Sequence, residues 1–253
     1  MLFSANLGFL WNDLPLPEAI RRAKAAGFDA VECHWPYEIP AEETAKALKE
    51  TGLVMLSLNT RRGAPGENGL LALPGRVSEA RAAIDEAIAY AVATQTPSIH
   101  VMAGIASGLE AHATYLENLR YACDLARPHA ITILIEPLNP YDAPGYFLRT
   151  AAQAEAIIHE LNLPELRLMF DIYHQQIIAG DICRSFEALL PIIGHVQIAS
   201  VPARARPDQG EVDYRFVLSR IRDLGWNRPI GAEYRTNGPT EESLGWMPDY
   251  QAL

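Results

Sequence analysis

The chain has 253 residues, 49% of them hydrophobic, enough for one large core and unlike a disordered composition. Its 31 acidic and 21 basic side chains give a formal charge of −10, which argues against a general nucleic-acid grip, since that needs basic surface to displace counterions. No apolar run is long enough to span a bilayer, and MLFSANLGFLWNDLP lacks the basic start of a signal peptide, so a cytoplasmic protein is expected. The three cysteines, Cys33, Cys123 and Cys183, are odd in number and lack CxxC spacing, which fits reduced thiols.

Strand and helix signals alternate along the chain. Leu2–Asn6 reads as a strand and Leu16–Ala26 as an amphipathic helix closed by Gly27. Ala30–Cys33 is the second strand, followed by a helix over Ala41–Thr51 that ends at Gly52. Val54–Asn59 is the third strand, Val77–Ala93 a helix, Ser98–Met102 the fourth strand and Ala111–Ala126 a helix. Thr132–Glu136, Leu166–Asp171, His195–Ile198 and Ile230–Glu233 complete eight strands, with helices predicted over Ala151–Glu160, Ile182–Leu190 and Tyr214–Leu224. Strand and helix in steady succession predict a parallel sheet, and eight repeats in this length predict closure into a single (β/α)8 TIM-barrel domain over 1–253. The helix-to-strand connections are short. The strand-to-helix loops 59–76, 103–110, 137–150 and 199–213 are long and rich in Gly, Pro, Arg and Asn. In such barrels those loops build the active face.

Four of the predicted strands end on an oxygen-bearing side chain: Glu136 in ITILIEP, Asp171 in LRLMFD, Gln197 in GHVQIA and Glu233 in PIGAEY. Strand ends on one face converge, and three carboxylates brought together repel one another. A divalent cation relieves that repulsion, and Mg²⁺ or Mn²⁺ suits an all-oxygen donor set. The site is therefore expected to be a metal centre. His174 lies three positions beyond Asp171, where it is placed to contact substrate, orient the aspartate or cap a helix. His100, with Glu32 and His34, is expected near the pocket. His195 alternates with Gln197 and should face the barrel interior. His112, His129 and His159 read as surface positions.

Arg204, seven residues past Gln197, is the expected anchor for a substrate carboxylate, because a guanidinium binds carboxylates through two parallel hydrogen bonds. Arg61 and Arg206 are the lesser candidates. Asn6 and Asn59 are expected to donate amide contacts to substrate. Phe9, Trp11, Trp35 and Tyr37 are expected to wall one side of the pocket, and Trp246 to pack into the core or cover the mouth.

Taken together, FSANLGFLW, GFDAVECHWPYEIPAE, ENGLLALPGR, ENLRYACDLARPH, IEPLNPYDAPGYFL, FDIYHQQIIAGD, GHVQIASVPARARPDQGEVDY and GAEYR resemble the hydroxypyruvate isomerase family over nearly the whole chain. The 2-oxo-tetronate isomerases are a similar match. The resemblance implies a xylose-isomerase-like barrel and a divalent metal on Glu136, Asp171, Gln197 and Glu233, with Glu136 and Glu233 also acting as the acid/base pair. It further implies conversion of hydroxypyruvate to tartronate semialdehyde through an enediolate. The chain departs from the pattern at Arg206, where relatives carry an acidic residue, and in the short loop NTRRGAPGENG with Arg61 and Arg62. Both loops should face the substrate. The expected partner is a small anionic 2-oxo acid; a homo-oligomer is open, and neither nucleic acid nor membrane is expected. The competing readings are a 2-oxo-tetronate isomerase, a ketose 3-epimerase, a metal-dependent endonuclease and a non-catalytic barrel binding protein.

Overall fold

The computed structural model describes residues 1–253. Eight parallel strands, each continued by a helical return, follow the predicted order. They are β1 (Phe3–Asn6), β2 (Ala30–Glu32), β3 (Leu58–Asn59), β4 (Ser98–His100), β5 (Thr132–Ile135), β6 (Leu166–Asp171), β7 (Ile193–Ile198) and β8 (Ile230–Ala232). The ladder runs β2-β1-β8-β7-β6-β5-β4-β3. Parallel bonds between its two end strands nearly close it into a barrel: Val31 N–H to Val54 O at 3.0 Å, Leu56 N–H to Val31 O at 2.7 Å and Cys33 N–H to Ser57 O at 3.0 Å. The predicted third strand, Val54–Asn59, contracts to Leu58–Asn59 because its first half pairs with β2 only through this seam.

The outer layer is α1 (Leu16–Ala25), α2 (Ala41–Thr51), α3 (Val77–Thr94), α4 (Gly108–Ala126), α5 (Ala151–Leu161), α6 (Ile172–Ile178), α7 (Ile182–Leu189), α8 (Tyr214–Asp223) and the C-terminal α9 (Met247–Gln251). Two of these, α6 and α9, were not expected from the sequence. α6 starts on Asp171 itself, whose side chain accepts from the Tyr173 N–H at 2.9 Å as a helix cap. The apolar faces of strands and helices merge into one cluster of 72 buried hydrophobic residues. Trp246 belongs to it, edge-on to Phe3 with ring centroids 5.0 Å apart, so the C-terminal segment packs into the core and does not cover the mouth. No helix is long and apolar enough to cross a membrane.

The barrel places a polar residue at or beside the C-terminal end of every strand: Asn6, Glu32, Asn59, His100, Glu136, Asp171, Gln197 and Glu233. All eight are buried. Polar groups are rarely buried without a partner, so this concentration at one end marks where the chemistry lies.

Candidate active site

A cavity of about 220 Å³ opens at that end, lined among others by Glu136, Glu233, His100, His174, Asn59 and Arg204. A larger surface depression of about 570 Å³ lies beyond Trp11 and Thr240, but its charged residues Asp13, Arg22 and Glu241 are all exposed, and Arg22 and Glu241 pair with each other at 3.9 Å. The smaller cavity is the candidate site because the buried titratable groups face it.

Glu136, Asp171 and His174 bring ligand atoms within 4.8 Å of one another. Asp171 and Gln197 stand opposite each other in the β6–β7 register, so the amide belongs to the same end of the barrel as the carboxylates. Three buried oxygens find no hydrogen-bond donor: Glu136 Oε1, Asp171 Oδ2 and Gln197 Oε1. Orphaned buried oxygens are costly unless a cation takes them. Such a donor set fits a hard divalent ion.

His174 differs from the carboxylates. Its Nδ1 receives both the Asn139 backbone N–H at 3.0 Å and the Asn139 side-chain amide at 2.8 Å. Two donors on Nδ1 leave the ring proton on Nε2, which lies 3.6 Å from Asp171 Oδ2. Burial and then the Arg204 charge hold the ring well below its usual pKa, so it is neutral. A neutral imidazole with its proton on Nε2 is a donor toward the cavity and a poor metal ligand. His100 is also buried, which lowers it to about 4; its Nδ1 lies 3.5 Å from Glu136 Oε2.

Glu233 is fully engaged. Its Oε1 is 2.7 Å from His34 Nε2 and accepts from Asn6 Nδ2 at 2.9 Å, while Arg204 Nη2 reaches Oε2 at 2.5 Å. Gly8 makes the first contact possible: a Cβ there would stand 2.1 Å from the His34 ring. Burial pushes the Glu233 carboxyl upward, but Arg204 and His34 outweigh it and hold it below the usual range. Glu136 goes the other way. Burial, then Glu233 and Asp171, lift it well above the usual range, and burial followed by Glu233 lifts Asp171 to about 8. One site thus holds two glutamates with opposite proton affinities.

Arg204 sits among these acids. Besides Glu233, it reaches Asp142 at 3.2 Å and lies 3.7 Å from Asp171. Its guanidinium stands 4.9 Å from the centroids of both Phe9 and Tyr173. The backbone at Arg204 is left-handed, with φ 50°, and is pinned by hydrogen bonds to Ser200 O and from Arg235 N–H, both 2.8 Å. Strained backbone of this kind persists where surrounding contacts fix it.

Several expected residues lie elsewhere. Asn6 does not line the cavity: its amide hydrogens go to Glu32 and Glu233 at 2.9 Å each, and its oxygen accepts the Gly8 N–H. Arg61 is drawn outward by Glu86 at 2.6 Å, and Arg206 by Asp208 at 2.6 Å. Arg62, next to Arg61, instead lines the cavity and stacks over Trp35 at 4.6 Å; Arg235 lines it as well. Arg62 was expected only as part of a loop facing the substrate, and Arg235 was not a candidate. Of the aromatic wall, Phe9 and Trp35 face the cavity, whereas Trp11 packs against Phe28 and Tyr37 against Tyr90. His195 reaches the interior as its alternation with Gln197 requires, and meets Glu32 Oε2 at 2.5 Å.

Comparison with known proteins agrees with this architecture. The sequence model described as "Xylose isomerase-like TIM barrel" matches residues 20–250. The chain is 41% identical to a 2-oxo-tetronate isomerase of Cupriavidus necator, covering 98% of each chain. It is 34% identical to the hydroxypyruvate isomerase of Escherichia coli, covering 98% of this chain and 99% of that one. A crystal structure from Brucella melitensis titled AP endonuclease, family 2, superimposes with a TM-score of 0.94 at 39% identity, covering 98% of both chains. The chain belongs to the xylose isomerase-like TIM-barrel family, among its hydroxypyruvate isomerase and 2-oxo-tetronate isomerase relatives.

Proposed function

We propose that the protein is an isomerase of a small 2-oxo acid that interconverts hydroxypyruvate and tartronate semialdehyde, with a 2-oxo-tetronate as the second substrate. The observation that carries this reading is the gathering, at one end of the barrel, of orphaned oxygens on Glu136, Asp171 and Gln197 beside the Arg204 guanidinium, which lies 3.7 Å from Asp171. The cavity of about 220 Å³ has room for roughly seven water-sized groups at ~30 Å³ each, enough for a three- or four-carbon acid.

Glu136, Asp171 and Gln197, whose oxygens are orphaned, would hold a divalent cation, Mg²⁺ or Mn²⁺, joined by Glu233 once Arg204 releases its Oε2. When bound, that cation supplies positive charge that stabilises an enediolate. The rest of the chemistry falls to side chains. Glu233, held ionised by Arg204 and His34, takes the proton from C3 as that C–H bond breaks. Glu136, protonated from solvent, delivers that proton to C2 as the new C–H bond forms. The hydroxyl proton passes from O3 to O2, and the neutral His174 donates its Nε2–H to a substrate oxygen. Arg204 exchanges its internal carboxylate partners for the substrate carboxylate, and Arg62 and Arg235 add positive charge at the rim.

An endonuclease reading has less support. One buried cluster of orphaned carboxylate and amide oxygens can gather a metal, whereas that chemistry calls for several metals and basic loops, and the chain carries a charge of −10. The test is elemental analysis for a divalent metal, followed by kinetics with hydroxypyruvate, 2-oxo-tetronates and neutral ketoses. Turnover of 2-oxo acids supports the proposal; a preference for a neutral ketose over every 2-oxo acid moves the protein to the epimerase branch of the fold.

A further inference from the structure

Glu32 ends β2, outside the four-residue donor set, and is 1% exposed. It reaches inward past β1 and β8 to β7. There its Oε1 accepts from Gln197 Nε2 at 2.8 Å, and from Asn6 Nδ2 at 2.9 Å. Its Oε2 meets His195 Nε2 at 2.5 Å. A side-chain amide has one donating end and one accepting end, and its orientation is fixed by its partners. Because Glu32 Oε1 offers lone pairs, the end of Gln197 that faces it must be the NH₂. The other end is then an oxygen, and that oxygen is buried without a donor.

Gly231 supplies an independent observation. It lies directly opposite Gln197 in the β7–β8 register. A Cβ at this position would stand 2.6 and 2.7 Å from the two Glu32 oxygens and 2.8 Å from Gln197 Cγ. The passage through which Glu32 reaches Gln197 therefore exists only because residue 231 has no side chain.

We propose that Glu32 is a positioning residue that makes Gln197 an oxygen ligand: it holds the amide nitrogen down so that Oε1 faces the metal position. Without Glu32 the amide is free to present NH₂, which cannot bind a cation. Through Asn6 the same carboxylate also braces Glu233, because Asn6 Nδ2 donates to both. This inference rests on the metal site proposed above.

The test is calorimetric titration of the metal-free protein with Mn²⁺, which needs no turnover. Glu32→Ala is expected to weaken binding about 10- to 100-fold, the usual effect of removing a group that orients a ligand. Glu32→Gln, which retains one oxygen acceptor, should recover part of that loss. Gln197→Ala should weaken binding similarly, and adding Glu32→Ala to it should cost less than about threefold more, because the amide acted upon is already gone and only the indirect bracing of Glu233 remains to be lost. Full additivity, or wild-type affinity in Glu32→Ala or in Gln197→Ala, overturns the inference. If Glu32→Ala does not fold, Gly231→Ala replaces it, displacing the carboxylate without removing it; unchanged Mn²⁺ affinity there also overturns the inference. A wild-type protein that binds no divalent cation defeats the metal site itself, an outcome distinct from a wild type that binds and a Glu32→Ala variant that binds equally well.

Discussion

Arg204 Nη2 lies 2.5 Å from Glu233 Oε2, and the same nitrogen is 3.7 Å from Asp171 Oδ2. The guanidinium thus offsets the charge of two carboxylates while standing beside the cavity where an anionic substrate must enter. With a divalent cation bound, three ionised carboxylates would leave a net charge of about −1, and Arg204 would bring the site to neutrality before the substrate arrives.

Arg204→Ala should therefore raise KM for hydroxypyruvate by roughly 10- to 150-fold, equivalent to about 1.5–3 kcal/mol of charged hydrogen bonding. Neutral ketoses should suffer much less. Arg204→Lys should recover only part, because an ammonium lacks the planar fork. Unchanged hydroxypyruvate kinetics in Arg204→Ala would place the carboxylate anchor on Arg62 or Arg235.

Glu136→Gln and Glu233→Gln should each keep the fold and lose on the order of 10²-fold or more in kcat, since each retains an oxygen but loses a proton-transfer group. Circular dichroism and Mn²⁺ titration separate loss of chemistry from loss of structure. Near-normal kcat in either variant removes that residue from the acid/base pair.

Stability of the metal-free protein should depend on pH with a definite sign. Asp171 is raised to about 8 and Glu136 well above the usual range, mainly by burial. A carboxyl whose pKa rises on folding contributes stability that is fully present below its unfolded value near ~4 and lost as pH climbs toward its folded value. Glu233, held low by Arg204 and His34, has the opposite sign, but above pH ~5 it is ionised in both states and contributes no further slope. Tm in EDTA should thus fall between pH 5 and 8, and the Tm increase produced by Mn²⁺ should grow over the same window as protons stop competing for the ligands. A Tm in EDTA that rises across this window contradicts the assignment.

Trp246→Ala should destabilise the protein by about 3–5 kcal/mol, the range for a large buried aromatic. Trp246 is 2% exposed and donates its indole N–H to Tyr234 Oη at 3.1 Å. Chemical denaturation measures the loss, while Mn²⁺ affinity of the folded fraction should stay unchanged, because the residue belongs to the core.

The barrel was legible because eight short apolar runs alternate with helical faces, and because Glu136, Asp171, Gln197 and Glu233 lie at or beside the ends of such runs. Loop directions were not legible. Arg61 and Arg62 are adjacent, yet one pairs outward with Glu86 and the other stacks on Trp35 at the cavity. No periodicity constrains an irregular loop, so nothing in the sequence chose between them. Helix α6 did have a signal: Asp171 before IYHQQII is a capping residue, overlooked because it was assigned only to the metal. The wiring of Asn6, Glu32, His195 and Gln197 joins positions up to 165 residues apart. Only closure of the barrel brings those strands together, and although the repeats predicted closure, they carry no trace of which side chains it would join.

The most direct test of the account is isomerisation of hydroxypyruvate in D₂O by the Mg²⁺- or Mn²⁺-loaded protein, followed by NMR of the product. Proton transfer through an enediolate between Glu233 and Glu136 predicts metal-dependent formation of tartronate semialdehyde carrying solvent deuterium at C2, with the label lost in Glu233→Gln. Metal-independent turnover, or complete retention of substrate hydrogen at C2, would contradict it.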